Sequence, residues 1–184
     1  MGFVGLMRKV WRHRKDDFDI QYMAIGVNSS TDITKDKHII MLDFDVKDRE
    51  LVVKSVEELQ VFWNLAEAHI FVSKNGFHVF FWYDQVPYGR LKMIIEYARD
   101  VDPMFKFISR FYDHKTLRVI GKHKVRDIAF EGIVRGVREP SEDEKEIGEM
   151  KRREHLMLLD PNNPLWKVGV EGAFCNKATK KGVA

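Results

Sequence analysis

The amino-acid sequence predicts an α/β chain of the α+β kind: a mixed, mostly antiparallel sheet with helices packed on one face. Three observations carry this. Two runs, HIIMLDFDV (38–46) and HIFVSKNGFHVFFW (69–82), have the alternating or wholly apolar character of strands. Stretches with apolar residues at helical spacing follow each of them. Short polar turns, with no long linker and no internal repeat, join the pieces, so 1–184 reads as a single domain.

Taken in order, residues 1–15 form a basic N-terminal segment with Val4, Met7 and Trp11 on one side. Asp19 to Val27 and His38 to Val46 read as two strands joined by the polar turn NSSTDITKDK. Ser55 with Glu58 three residues on has the form of a capping box, and Val56, Leu59, Phe62, Trp63 and Ala66 supply the apolar face of a helix after it. His69 to Val72 and Phe77 to Trp82, separated by a Lys-Asn-Gly turn, are apolar on both alternating sets, which predicts a central position in the sheet. Pro87 opens a second helix, with Leu91, Ile94, Ile95 and Ala98 on one face. Asp113 to Ile120 and Asp127 to Val134 alternate like strands around the basic hairpin GKHKVR. The mixed-charge run from Ser141 predicts a third helix, followed by a loop-like tail, so the C-terminal part spans 141–184 and the motif-bearing core about 38–134. Trp63, Phe71, Phe81 and Trp82 are expected in the core.

Composition narrows the class. With 45% hydrophobic and 32% charged residues the chain can bury a core. The one cysteine, Cys175, excludes a disulfide framework and a cysteine-based zinc module. Neither a spanning apolar run of roughly 18 residues nor a signal peptide is seen, so a cytoplasmic protein without a membrane partner is expected. A net charge of +3 is modest, but basic residues cluster at Arg8, Lys9, Arg12, Arg14 and Lys15, and again at Lys122, Lys124 and Arg126. Such stripes suit phosphate backbones or a solvated face.

The chemistry-bearing segments are LDFDV (Leu42 to Val46) and SKNGFHVFF (Ser73 to Phe81). Carboxylates two apart on a strand point to one side, so Asp43 and Asp45 are expected to stand together while Phe44 turns into the packing. Two like charges on an apolar strand repel and resist desolvation. A divalent cation relieves both, and oxygen-only ligands select Mg²⁺ or Mn²⁺ over zinc.

The order LDFDV, then Ser73, Gly76 and His78, then Val101-Asp102, then Leu117, Arg118, Gly121 and Lys124 resembles the archaeo-eukaryotic primase superfamily, especially small primase-polymerases of archaeal plasmids and viruses. The resemblance covers about residues 38 to 130 and implies a palm like the RNA-recognition motif. It implies that Asp43, Asp45 and a third acid hold one or two Mg²⁺ or Mn²⁺ ions. Asp102 is the choice for that third acid, with Asp113 and Asp100 as competitors. It further implies that His78, with Ser73 beside it, contacts the triphosphate of an incoming nucleotide, helped by Arg118 and Lys124.

The function implied is a DNA primase or polymerase-type nucleotidyltransferase in replication of an archaeal plasmid or virus. Its partners would be nucleoside triphosphates, a single-stranded or primed DNA template, and a separate helicase or zinc-bearing replication protein. Two other readings stand beside it. One is an inactive protein of the same fold that binds nucleic acid or a replication partner. The other is a metal-dependent nuclease or replication initiator, against which the missing His-x-His pair counts.

Overall fold

A computed structural model describes residues 25–31, 36–120, 128–160 and 162. The elements run β1 (Ile25–Asn28), β2 (His38–Phe44), α1 (Arg49–Trp63), β3 (Ala68–Val72), β4 (Phe77–Val86), α2 (Tyr88–Tyr97), α3 (Pro103–Ser109), β5 (Thr116–Ile120), β6 (Ala129–Val134) and α4 (Glu142–Leu159). This is the expected α+β class, with antiparallel pairing throughout. The expectations for 1–15, for Gly121 to Asp127 with Lys124, and for the tail from 163 lie outside the described residues.

Four strands form a sheet in the order β2-β4-β3-β6, and β1 pairs with β5 in a second, two-stranded sheet. The run from His69 to Trp82 therefore does supply the two central strands, which pair as a hairpin. Two strand expectations change. The sequence suggested that β1 joins β2, yet its ladder partner is β5, with Gly26 opposite Arg118 and Val27 opposite Leu117. β5 and β6, expected to share a hairpin, belong to different sheets.

Both faces of the four-stranded sheet are covered, because β4 is apolar on both. Leu42, Phe44, Phe77, Val79, Phe81 and Ile70 face one way and join Val52, Val56 and Leu59 of α1 and Leu91, Ile94 and Ile95 of α2 in the core. Met41, Asp43, His78, Phe80, Phe71 and His69 face the other way. There α4 lies across them, its His155 ring 4.7 Å from Phe71, 4.6 Å from Phe80 and 5.6 Å from Trp82. Helices on one face only was the expectation. The second face is closed because Phe71, Phe80 and Trp82 make it too apolar to leave to water.

Helix boundaries follow their caps. α1 starts a turn and a half before Ser55, since Asp48 accepts from the Glu50 and Leu51 amides. Ser55 is inside the helix, and its hydroxyl donates to the Arg99 carbonyl at 3.0 Å. Phe62, placed by spacing on the inner face, is 60% exposed and stacks on Tyr97 with ring centroids 4.4 Å apart. Phe71, Phe81 and Trp82 are core residues as expected, and Trp63 is half-buried against the core. Ser141 and Glu144 form a full capping box at α4. α3, not foreseen, is started by Asp102 as its N-cap with Pro103 in the first turn.

Three of the described glycines, Gly76, Gly136 and Gly148, are fixed by close approach. A Cβ at Gly76 would stand 1.7 Å from the Phe44 carbonyl oxygen, so the β3–β4 turn is pressed against the end of β2. Neither it nor any other described glycine has a positive φ. A Cβ at Gly148 would meet the Tyr83 ring at 2.4 Å, which seats α4 directly on β4.

Candidate active site

At one end of the four-stranded sheet, β2 and β4 place Asp43 directly opposite His78. The His78 Nε2 is 3.5 Å from Asp43 Oδ1. Asp43 is partly open to solvent, with its side chain 24% exposed, whereas the His78 side chain is 1% exposed. β2 stops at Phe44, so Asp45 sits just past the ladder and is exposed. The strand had been expected to run through Val46. The pressure of the Gly76 turn on the Phe44 carbonyl accompanies its earlier end.

Asp102 arrives from another part of the chain. Its amide donates to the Asp43 carbonyl at 2.8 Å, which puts the start of α3 alongside the end of β2. Its carboxylate accepts from the Met104 and Phe105 amides at 2.9 and 3.2 Å. Of the competing acids, Asp113 contacts His114 at 2.6 Å, and Asp100 takes a left-handed backbone with φ 57° in the bend after α2.

A residue that sequence reasoning missed completes the cluster. Lys115, the residue before β5, is 3% exposed, and its ammonium donates to the Phe105 carbonyl at 2.7 Å. It lies 3.9 Å from the centre of the Phe105 ring. Burial pushes its pKa down to about 8, while the charges of Asp43 and Asp102 act to keep its proton. Nothing in the sequence separates Lys115 from the other lysines, because its burial depends on α3 folding back over it.

The remaining expected residues are used differently. The Ser73 hydroxyl is taken up in its own turn, accepting from the Gly76 amide at 3.2 Å. Arg118 lies in β5 opposite Gly26. His78 does not line an open cleft: α4 covers that face and the ring is buried.

Oxygen donors from Asp43, Asp45 and Asp102 suit Mg²⁺ or Mn²⁺ in kind. Among the described residues, no three His, Cys, Asp or Glu side chains converge as a ready-made metal cage.

A second charged network lies away from this end. Asp84, 2% exposed, accepts from the Ala66 amide at 3.0 Å and from Arg138 at 2.6 Å, and Arg138 also grips Glu144 at 2.8 and 2.9 Å. Burial raises the Asp84 pKa, against the pull of Arg138. The Arg138 hydrogen bonds hold Glu144 down to about 2. A cavity of about 260 Å³ beside it is lined by Trp63, Arg90 and this network and touches none of the residues above. The network's work is to fasten the start of α4 to β4.

No known protein family, curated protein or solved structure matches this chain. No helix among the described residues is long and apolar enough to cross a membrane.

Proposed function

We propose that this chain is a metal-dependent nucleotidyltransferase of the primase-polymerase kind, acting in DNA replication. One observation supports this above the others. Asp43, His78 and Asp102, far apart in sequence, meet at one sheet end, the first two as direct cross-strand partners and the third through a backbone hydrogen bond. Those are three of the residues on which the resemblance to primase-polymerases rests.

On this reading Asp43, Asp45 and Asp102 hold Mg²⁺ or Mn²⁺. The ion, when bound, supplies Lewis-acid stabilisation to the transferring phosphate and the attacking 3′-oxygen. The chain's own part is positioning and charge. Exposed Asp45 and partly open Asp43 present their oxygens to solvent at the strand end. Buried His78 works through Asp43, fixing where its carboxylate points, instead of reaching the triphosphate itself. Arg118 and Lys124 are retained as the cations for the triphosphate, with nucleoside triphosphates and a primed or single-stranded DNA as substrates.

A second reading, an inactive protein of the same fold that binds nucleic acid or a replication partner, has its own support. α4 covers the sheet face that carries His78, and the carboxylates of the described residues do not form a metal cage. Incubation with a primed template, nucleoside triphosphates and Mn²⁺ separates the two. Incorporation that disappears in Asp43→Asn supports the enzyme. Template binding without incorporation, unchanged in Asp43→Asn, supports the binder.

A further inference from the structure

We infer that the outer face of α1, α2 and α3 is a self-association surface, on which a second copy of this chain docks about a two-fold axis. The inference needs neither a metal nor a nucleotide and stands apart from the reading above.

A helix packed on a core normally turns its apolar stripe inward and leaves polar residues outside. α3 is apolar on both sides. Its inner side buries Phe105 and Ser109, while Met104, Ile108 and Phe111, at i, i+4 and i+7, remain exposed. Phe111 lies in the turn after α3, its ring 4.9 Å from that of Phe107. A second exposed cluster joins α1 to α2: Phe62 stacks on Tyr97 with ring planes 17° apart, and Met93, one turn before Tyr97, is exposed as well. An ion pair links the two clusters. Arg110, the neighbour of Phe111, donates to both carboxylate oxygens of Glu96, the neighbour of Tyr97, at 2.8 and 3.0 Å. Exposed apolar surface gathered in this way marks an interaction site. Charge decides what occupies it. Over residues 88–113, lysines and arginines number five and aspartates and glutamates four. The cations beside the clusters are engaged within the chain: Arg110 with Glu96, Lys106 with the Glu96 and Ala98 carbonyls, and Arg99 with Glu58. A phosphate backbone needs an excess of positive charge, which a nearly neutral face does not supply. A second copy has no such need, and an aromatic, near-neutral face is what homodimer interfaces bury. With the axis near the Glu96–Arg110 pair, the Phe62–Tyr97 cluster of one copy meets the Phe107–Phe111 cluster of the other, so one patch serves both partners.

Sedimentation equilibrium of the full chain, from about 1 to about 100 µM, should show a monomer–dimer equilibrium. Phe111→Glu and Phe62→Glu each place a charge in one cluster. Each should raise the dimer dissociation constant at least about tenfold, with the circular dichroism spectrum unchanged. Met150→Glu, at an exposed position of α4, should leave the constant as it is. A chain that stays monomeric throughout, a dimer indifferent to both cluster substitutions, or one that Met150→Glu weakens equally overturns the inference. Should Phe111→Glu fail to fold, Phe62→Glu alone decides. A labelled single-stranded oligonucleotide is titrated in parallel. A monomeric chain whose oligonucleotide binding weakens in Phe62→Glu and Phe111→Glu gives the face to nucleic acid and overturns the inference too.

Discussion

His155 gives the α4 interface a measurable dependence on pH. The ring is fully buried between α4 and β4, in contact with Phe71, Phe80 and Trp82, and neither of its nitrogens has a hydrogen-bond partner among the described residues. Burial, with the charge of His78 beside it, pushes its pKa from 6.5 down to about 3. In the unfolded chain the ring gains a proton as pH falls below about 6.5, whereas in the fold it stays neutral until about pH 3. Through that window the unfolded state binds more protons, so stability falls as pH falls and is complete only above about 6.5. At about pH 5 the ring is about 1.5 pH units below its free value, and at about 1.4 kcal/mol per unit the loss is about 2 kcal/mol relative to about pH 7.5. For a chain of this size that is about 4–8 °C in Tm. His155→Leu removes the titrating group while keeping the site apolar. Urea unfolding followed by tryptophan fluorescence, at about pH 7.5 and about pH 5, should show the variant losing about 2 kcal/mol less than the unaltered chain on acidification. Equal losses in the two proteins would refute a neutral, buried His155 under α4.

Two further substitutions test how the site is built. Gly76→Ala forces a methyl group onto the Phe44 carbonyl and should destabilise by about 2–3 kcal/mol or more, with a change within about 0.5 kcal/mol contradicting the close approach. Arg138→Met leaves Asp84 buried without its cation and should lower stability by about 3–5 kcal/mol in urea unfolding. Adding Asp84→Asn to that variant should recover part of the loss, and no recovery would argue against the pairing.

Much of the fold was legible because periodicity reports burial. The two-sided apolar run from His69 to Trp82 could only be central, and Pro87 and the mixed-charge run from Ser141 marked real helix starts. What failed depended on partners distant in sequence. Ser55 has the pattern of a cap but Asp48, nearer the apolar register, takes that role. The pairing of β1 with β5 is a tertiary choice that no local pattern encodes. At the site, Asp43 and His78 could be expected together from motif order, whereas Lys115 could not, since its burial is created by α3. The closure of the His78 face was likewise hidden, because α4 is strongly charged overall and covers that face through Gly148, Lys151, His155 and Leu158.

On the proposed reading, the sheet end bearing Asp43 binds a nucleotide together with a metal. Calorimetric titration of the chain with a nucleoside triphosphate, with and without Mn²⁺, tests it most directly. Binding that requires Mn²⁺ and is lost in Asp43→Asn, with the fold intact by circular dichroism, is the predicted result. Nucleotide binding that is absent, or that is indifferent to both Mn²⁺ and Asp43, would contradict it.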